Sequence, residues 1–149
     1  MRILQLHCDS IEYTPTKKEI SAAEDIEPKA IQLDEVVVCF VAIEKNDDES
    51  IAQNAISQIQ DSMKKIGSKK LLLYPYAHLS ANLASPKTAL SILTHMQNNF
   101  DDIEVTHAPF GWTKSYEIKV KGHPLAESSK IITGDLQKEK TSDALESES

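Results

Sequence analysis

Ala-Pro-Phe-Gly-Trp-Thr-Lys-Ser-Tyr-Glu-Ile-Lys-Val-Lys-Gly-His-Pro-Leu-Ala-Glu, residues 108–127, is the stretch whose reading decides the fold. It holds two of the four glycines, two of the six prolines and the only tryptophan. Pro109 to Trp112 reads as a turn, because glycine and proline supply the backbone angles that a chain reversal needs. Tyr116, Ile118 and Val120 then alternate with Ser115, Glu117, Lys119 and Lys121, which is the period of a half-buried strand. Gly122 to Pro124 is a second turn. The expected product is a short ribbon with a hairpin-like partner, whose ends carry Lys114, His123 and Glu127. The rest of the chain is expected to build a pocket facing it.

Working upstream, Ile103 to His107 is a strand leading into this ribbon. Before it, Ser85 is placed to cap a helix with Pro86 at its first position, and Ala89, Leu93, Met96 and Phe100 fall on its inner face. Residues 74–80 form a loop at the carboxyl end of a buried strand, Lys69 to Tyr74, a common place for ligands in α/β sheets. A helix from about residue 50 to Ile66 buries Ile51, Ala55, Ile59, Met63 and Ile66, with Gly67 as its stop. Residues 35–43 are almost continuously apolar and β-branched, as in a strand covered on both faces. Residues 16–32, mixed and charged, read as a loop or insertion with at most a weak helix. Residues 2–8 read as the first strand, and 12–14 as an extended piece ended by Pro15. Downstream of Glu127 the chain turns polar and loses periodicity. The domain is expected to span 1–134, with 135–149 a polar linker or disordered tail. Helices alternating with strands and a closing antiparallel pair give an α/β class with a mixed sheet and packed helices.

At 149 residues, 40% hydrophobic and 26% charged, the chain suits one globular domain. No apolar run approaches the ~20 residues of a membrane span, and the N-terminus reads as a strand, so a cytoplasmic location without membrane contact is the expectation. Cys8 and Cys39 lie in apolar segments and read as buried reduced thiols, not as metal ligands. The net charge is −7. Five acids and two lysines in residues 135–149 account for −3 of it, leaving −4 for residues 1–134. An acidic chain whose only arginine is Arg2 does not wrap nucleic acid broadly, so any nucleic-acid contact is confined to a small piece.

His78 in the 74–80 loop, Lys114, and Glu127 at the far end of the ribbon are the polar groups expected to meet. Each alone has an ordinary explanation: a loop histidine, a solvated lysine, a surface carboxylate. His7, His95 and His107 receive that ordinary reading, and His123 is the exception worth watching because its turn adjoins Glu127. There is no phosphate-binding Gly-x-x-x-x-Gly-Lys, no Gly-x-Gly-x-x-Gly and no Gly-x-Ser-x-Gly. No cofactor or metal is expected.

Tyr-Pro-Tyr-Ala-His-Leu-Ser (74–80), Ala-Pro-Phe-Gly-Trp-Thr-Lys (108–114) and Lys-Gly-His-Pro-Leu-Ala-Glu (121–127) together resemble the N-terminal editing domain of archaeal threonyl-tRNA synthetase. Residues 1–13 and 35–45 are similar to it as well, and the likeness runs to about residue 132. The resemblance implies a fold like that of D-aminoacyl-tRNA deacylases and a homodimer. It implies hydrolysis of L-serine wrongly attached to the tRNA for threonine, assisted by the terminal ribose 2′-hydroxyl. Its implied partners are the 3′ end of seryl-tRNA and the catalytic and anticodon-binding domains of the synthetase. By resemblance Lys114 stands next to the attacking water and the ester, His78 beside it, and Glu127 binds the amino group. Ile43, Pro75, Tyr76, Ala77 and Phe110 match pocket and adenosine contacts. Thr113 stands where the family often has tyrosine, and Tyr76 where relatives have phenylalanine. Two alternatives stay open: a stand-alone D-aminoacyl-tRNA deacylase, against which the absence of any Gly-Pro dipeptide counts, and a non-catalytic dimerisation or tRNA-docking module.

Overall fold

The computed structural model describes residues 1–134; the expected linker at 135–149 lies outside the described residues. In chain order the elements are β1 (Arg2–Lys18), β2 (Ile31–Ala42), α1 (Glu49–Ile66), β3 (Lys70–Pro75), a 3₁₀ turn (Ala77–Leu79), α2 (Pro86–Asn98), β4 (Glu104–His107), β5 (Trp112–Val120) and β6 (Glu127–Ile131). The sheet order is β4-β3-β2-β1-β5, with β6 also on β1. β2, β3 and β4 run parallel, joined by helical crossovers, while β1 is antiparallel to β2, β5 and β6. This is the expected α/β class with a mixed sheet and packed helices.

Both faces of β2 are apolar, and the structure uses both. Val37, Cys39 and Val41 point into the core under α1 and α2, with Ile59, Met63, Leu93 and Met96. Val36, Val38 and Phe40 point the other way, to Cys8, Ile11, Tyr13, Leu72 and Tyr74. Asp48 starts α1 by accepting from the Ile51 N–H at 3.0 Å, and Gly67 ends it at φ +80°, an angle that favours glycine. Ser85 caps α2 by accepting from the Thr88 N–H at 3.3 Å, with Pro86 behind it as expected. Cys8 and Cys39 are fully buried and unbridged, and burial pushes their thiols up to about 11 and about 12.

Among the described residues no helix covers the second face; the sheet closes it by curling. The Tyr116 ring on β5 lies 5.6 Å from the Tyr74 ring on β3 and 5.9 Å from Phe40 on β2. A flat sheet would hold β3 and β5 three strand spacings apart, roughly 14 Å. Twist along the 17-residue β1 carries its C-terminal half, and β5 with it, over the ends of β2 and β3.

Four sequence expectations need correction. β1 does not end at Pro15 but continues to Lys18. Pro15 lies past the last β2 partner of β1, at Tyr13, and faces only β5, so its missing N–H falls on an open side next to a register shift. Residues 16–32 hold no helix: they finish β1, form a strap at 19–25 that docks on residues 110–113, and begin β2 at Ile31. Residues 127–131 are a strand despite their polarity, because backbone pairing with Arg2 to Leu6 holds them. Finally, β5 and β6 are not a hairpin; each pairs with a different half of β1.

Candidate functional site

The curl encloses a cavity of about 660 Å³ at the carboxyl ends of β2 and β3. That volume suits a ligand of nucleoside size. One wall comes from Val41 to Ile43 and the start of α2, a second from residues 74–78, and a third from residues 110–116 of the β5 turn and strand. The 74–78 wall is held by backbone: the Tyr76 N–H donates to Val41 O at 2.8 Å. Ser80 Oγ donates to Glu44 Oε2 at 2.6 Å, tying the loop to the residues following β2.

Lys114 is the cation of this cavity. Its ammonium sits 5.0 Å over the Tyr74 ring, a favourable cation–π distance. Nζ donates to Pro109 O at 3.0 Å and to Trp112 O at 2.9 Å. Two of its three N–H donors are thus spent on its own turn, which fixes the direction of the third. Burial against aromatic rings lowers its pKa to about 8, and the negative charge of Glu24 opposes that fall. Such a lysine is cationic near neutrality yet poised to titrate just above it.

The turn that holds Lys114 leaves no slack. Gly111 has φ +82°, and a Cβ there would stand 2.7 Å from Ala23 Cβ. No side chain fits at that position while the strap stays docked.

His78 reaches the same cavity from the 3₁₀ turn, exposed, its ring edge-on to Tyr76 at 5.2 Å. Ile43, Pro75, Tyr76, Ala77, Phe110 and Thr113 all line it, so the structure gathers eight of the nine residues singled out from sequence. Thr113 Oγ1 donates to Glu19 Oε1 at 2.6 Å, so this position is tied to the strap. The ninth, Glu127, is exposed at the head of β6 opposite Leu6 and does not line the cavity of its own chain. Its β1 partner lies nine positions from Pro15, the partner of Lys114. His123 pairs instead with His7, its Nε2 standing 2.8 Å from His7 Nδ1, and neither ring lines the cavity.

Sequence reasoning missed four groups. Glu19 is the one carboxylate among the described residues that line the cavity. Tyr74 forms its floor, with a buried hydroxyl that has no hydrogen-bond partner among the described residues; burial raises its pKa and keeps the phenol neutral. Glu24 and His107 hold the turn from behind. No local pattern around Glu24 or His107 signals this role, because the contacts join residues 83 and 86 positions apart.

The site can therefore place a partly desolvated cation beside a bound carbonyl or phosphate, in a cleft with an aromatic floor. No group of three or more histidine, cysteine or carboxylate side chains suited to a metal occurs among the described residues. No described helix is long and apolar enough to cross a membrane.

Comparison with known proteins gives this geometry a family. Residues 1–132 match the family model of the archaea-specific editing domain of threonyl-tRNA synthetase. The threonine–tRNA ligase of Nitrosopumilus maritimus (strain SCM1) is 67% identical over 154 residues, a match covering 100% of this chain and 25% of that protein. A threonine–tRNA ligase editing subunit of Saccharolobus solfataricus (strain ATCC 35092 / DSM 1617 / JCM 11322 / P2) is 41% identical over 141 residues, covering 93% of this chain and 36% of the relative. The chain thus spans about a quarter to a third of the length of these relatives. A solved structure of a c-Myc DNA unwinding element binding protein superposes with a TM-score of 0.61 at 9% identity, over 89% of this chain and 99% of that one, which is a likeness of fold alone. On the match across residues 1–132, the chain belongs to the family of archaea-specific editing domains of threonyl-tRNA synthetase.

Proposed function

We propose that this domain hydrolyses the ester of L-serine mischarged on threonine tRNA. Serine lacks one methyl of threonine, and a synthetic pocket distinguishes one methyl by only ~1–3 kcal/mol, so a second, hydrolytic site is required for fidelity. The observation that carries the reading is Lys114: a cation held by two carbonyls over an aromatic floor, in a cavity of nucleoside size.

In this mechanism the terminal adenosine enters between Ile43, Pro75, Tyr76, Ala77 and Phe110. The ribose 2′-hydroxyl, adjacent to the ester, holds the attacking water, and Lys114 and His78 border that water. Water adds to the carbonyl, the Lys114 ammonium stabilises the negative charge that develops on the carbonyl oxygen, and the ribose 3′-oxygen leaves with a proton. The products are serine and intact tRNA, and no bond to the protein forms. The extra methyl of threonine displaces the water, so selection falls on the chemical step.

The domain acts as a homodimer in the cytoplasm, spans 1–134, and is joined by 135–149 to the catalytic and anticodon-binding parts of a synthetase. Those parts supply most of the tRNA affinity, which fits the scarcity of arginine here. Glu127, which does not line the cavity of its own chain, serves the cavity of the second copy and binds the amino group there. The test is deacylation by the isolated domain. Hydrolysis of L-seryl-tRNA in preference to L-threonyl-tRNA, lost in Lys114→Met, supports the reading. Preference for D-tyrosyl-tRNA assigns it to a D-aminoacyl-tRNA deacylase, and no hydrolysis of any of them assigns it to a docking module.

A further inference from the structure

The strap at residues 19–25 is buttoned onto the turn that carries Lys114. The Glu19 N–H donates to Gly111 O at 2.9 Å, and the Glu24 N–H to Phe110 O at 3.1 Å. In return the Phe110 N–H donates to Glu24 Oε1 at 2.8 Å, and the Trp112 indole N–H to Glu24 O at 2.7 Å. Glu24 thus grips the turn with its carboxylate and with both of its backbone groups.

The carboxylate is itself held. His107 Nε2 stands 2.9 and 3.0 Å from its two oxygens, while the opposite ring nitrogen, Nδ1, meets Gln97 Oε1 on α2. The ring and the carboxylate are both largely shielded, at 23% side-chain exposure each. A largely shielded carboxylate that meets an imidazole and also accepts a backbone N–H is geometrically demanding, and losing one partner leaves the rest unsatisfied. An exposed surface loop has no need of one.

We propose that Glu24 and His107 are positioning residues for Lys114: they clamp the 109–112 turn, whose carbonyl oxygens aim the amine into the cavity. The inference rests on the reading of Lys114 as the group beside the attacking water. The chain of contacts runs from α2 through Gln97, His107 and Glu24 to Phe110, and from there along the turn to Pro109 O and Trp112 O. Neither residue touches the substrate. The carboxylate also acts at a distance, because its charge favours the ammonium form of Lys114 against the desolvation that disfavours it. The other ionisable groups that share the cavity with that amine are His78 from the 3₁₀ turn, Tyr76 from the loop behind β3, Tyr74 from β3, Tyr116 from β5 and Glu19 from the strap.

Glu24→Gln tests this, because the amide keeps an oxygen for the Phe110 N–H and removes the charge. Two readouts are made on the same folded variant. One is the pH midpoint of Lys114 acylation by an amine reagent, followed by mass spectrometry without any tRNA. The other is seryl-tRNA deacylation at neutral pH. The midpoint is expected to fall from about 8 in the parent. The value of kcat is expected to fall at least about fivefold with KM within about twofold, the pattern of lost alignment and not of lost binding. Either readout staying at the parent value overturns the proposal. Should Glu24→Gln melt below the assay temperature, His107→Gln, which leaves the carboxylate but frees it from the ring, is read by the same kcat and KM split; an unchanged kcat overturns the proposal. If the parent domain fails to deacylate seryl-tRNA while the acylation midpoint still shifts, the substrate reading falls and the clamp on Lys114 stands.

Discussion

The pH dependence of the reaction is the sharpest consequence of where Lys114 sits. Its carbonyl partners accept from either form of the amine, but only the ammonium neutralises a developing oxyanion, so the active form is the protonated one. Burial lowers the pKa to about 8. The ammonium fraction then falls about tenfold between about pH 7 and about pH 9, whereas an ordinary lysine stays almost fully charged over that range. The rate of enzyme-bound turnover should follow, on an alkaline limb with a midpoint near 8. The assay is single-turnover deacylation of seryl-tRNA, with the spontaneous hydrolysis of the ester subtracted at each pH. A rate that stays flat or rises from neutrality to pH 9 refutes the role given to the ammonium. The linked stability effect has the opposite sense. Between about pH 8 and about 10.5 the unfolded chain binds more protons at this lysine than the folded one, so this group adds stability as pH rises through that window.

Three other outcomes follow from single contacts. Gly111→Ala forces a Cβ against Ala23 and a left-handed backbone on alanine, so the melting temperature should drop with a loss of about 2 kcal/mol or more, and kcat with it; a melt like the parent's contradicts the docked strap. Tyr74→Phe removes a buried hydroxyl that has no partner among the described residues and keeps the ring under Lys114, so chemical denaturation should show unchanged or higher stability, by up to about 1–3 kcal/mol; a clear loss shows that the hydroxyl is satisfied. Inactive Lys114→Met and inactive Glu127→Ala, unfolded together and refolded as mixed dimers, should regain about a quarter of parental activity if Glu127 serves the partner's cavity; no recovery places it in its own chain's chemistry or in none.

Much of this molecule was legible in its sequence, for physical reasons that differ from element to element. The helices were clear because Asp48, Gly67, Ser85 and Pro86 act locally, and local rules fix local structure. β2 was clear because an unbroken apolar run must be covered on both faces. Eight of the nine site residues come together because they sit on walls whose position those elements dictate. β6 was invisible because its stability comes from ladder bonds to β1, which impose no hydrophobic pattern on Glu127 to Ile131. The strap was invisible for a related cause: Glu24 grips a turn 86 residues away through backbone atoms and one partly buried carboxylate, and nothing near Glu24 in sequence reports that. The placement of Glu127 was misjudged because the two turns at 109–112 and 122–124 suggested a closed ribbon. In the structure the twist of β1 separates the strands that follow them.

The most direct test of the account is deacylation of L-seryl-tRNA and L-threonyl-tRNA for threonine by the isolated domain, alongside Lys114→Met. The account predicts rapid release of serine, slow release of threonine, and loss of serine release in the variant. Equal hydrolysis of both esters, or full activity without the Lys114 amine, contradicts it.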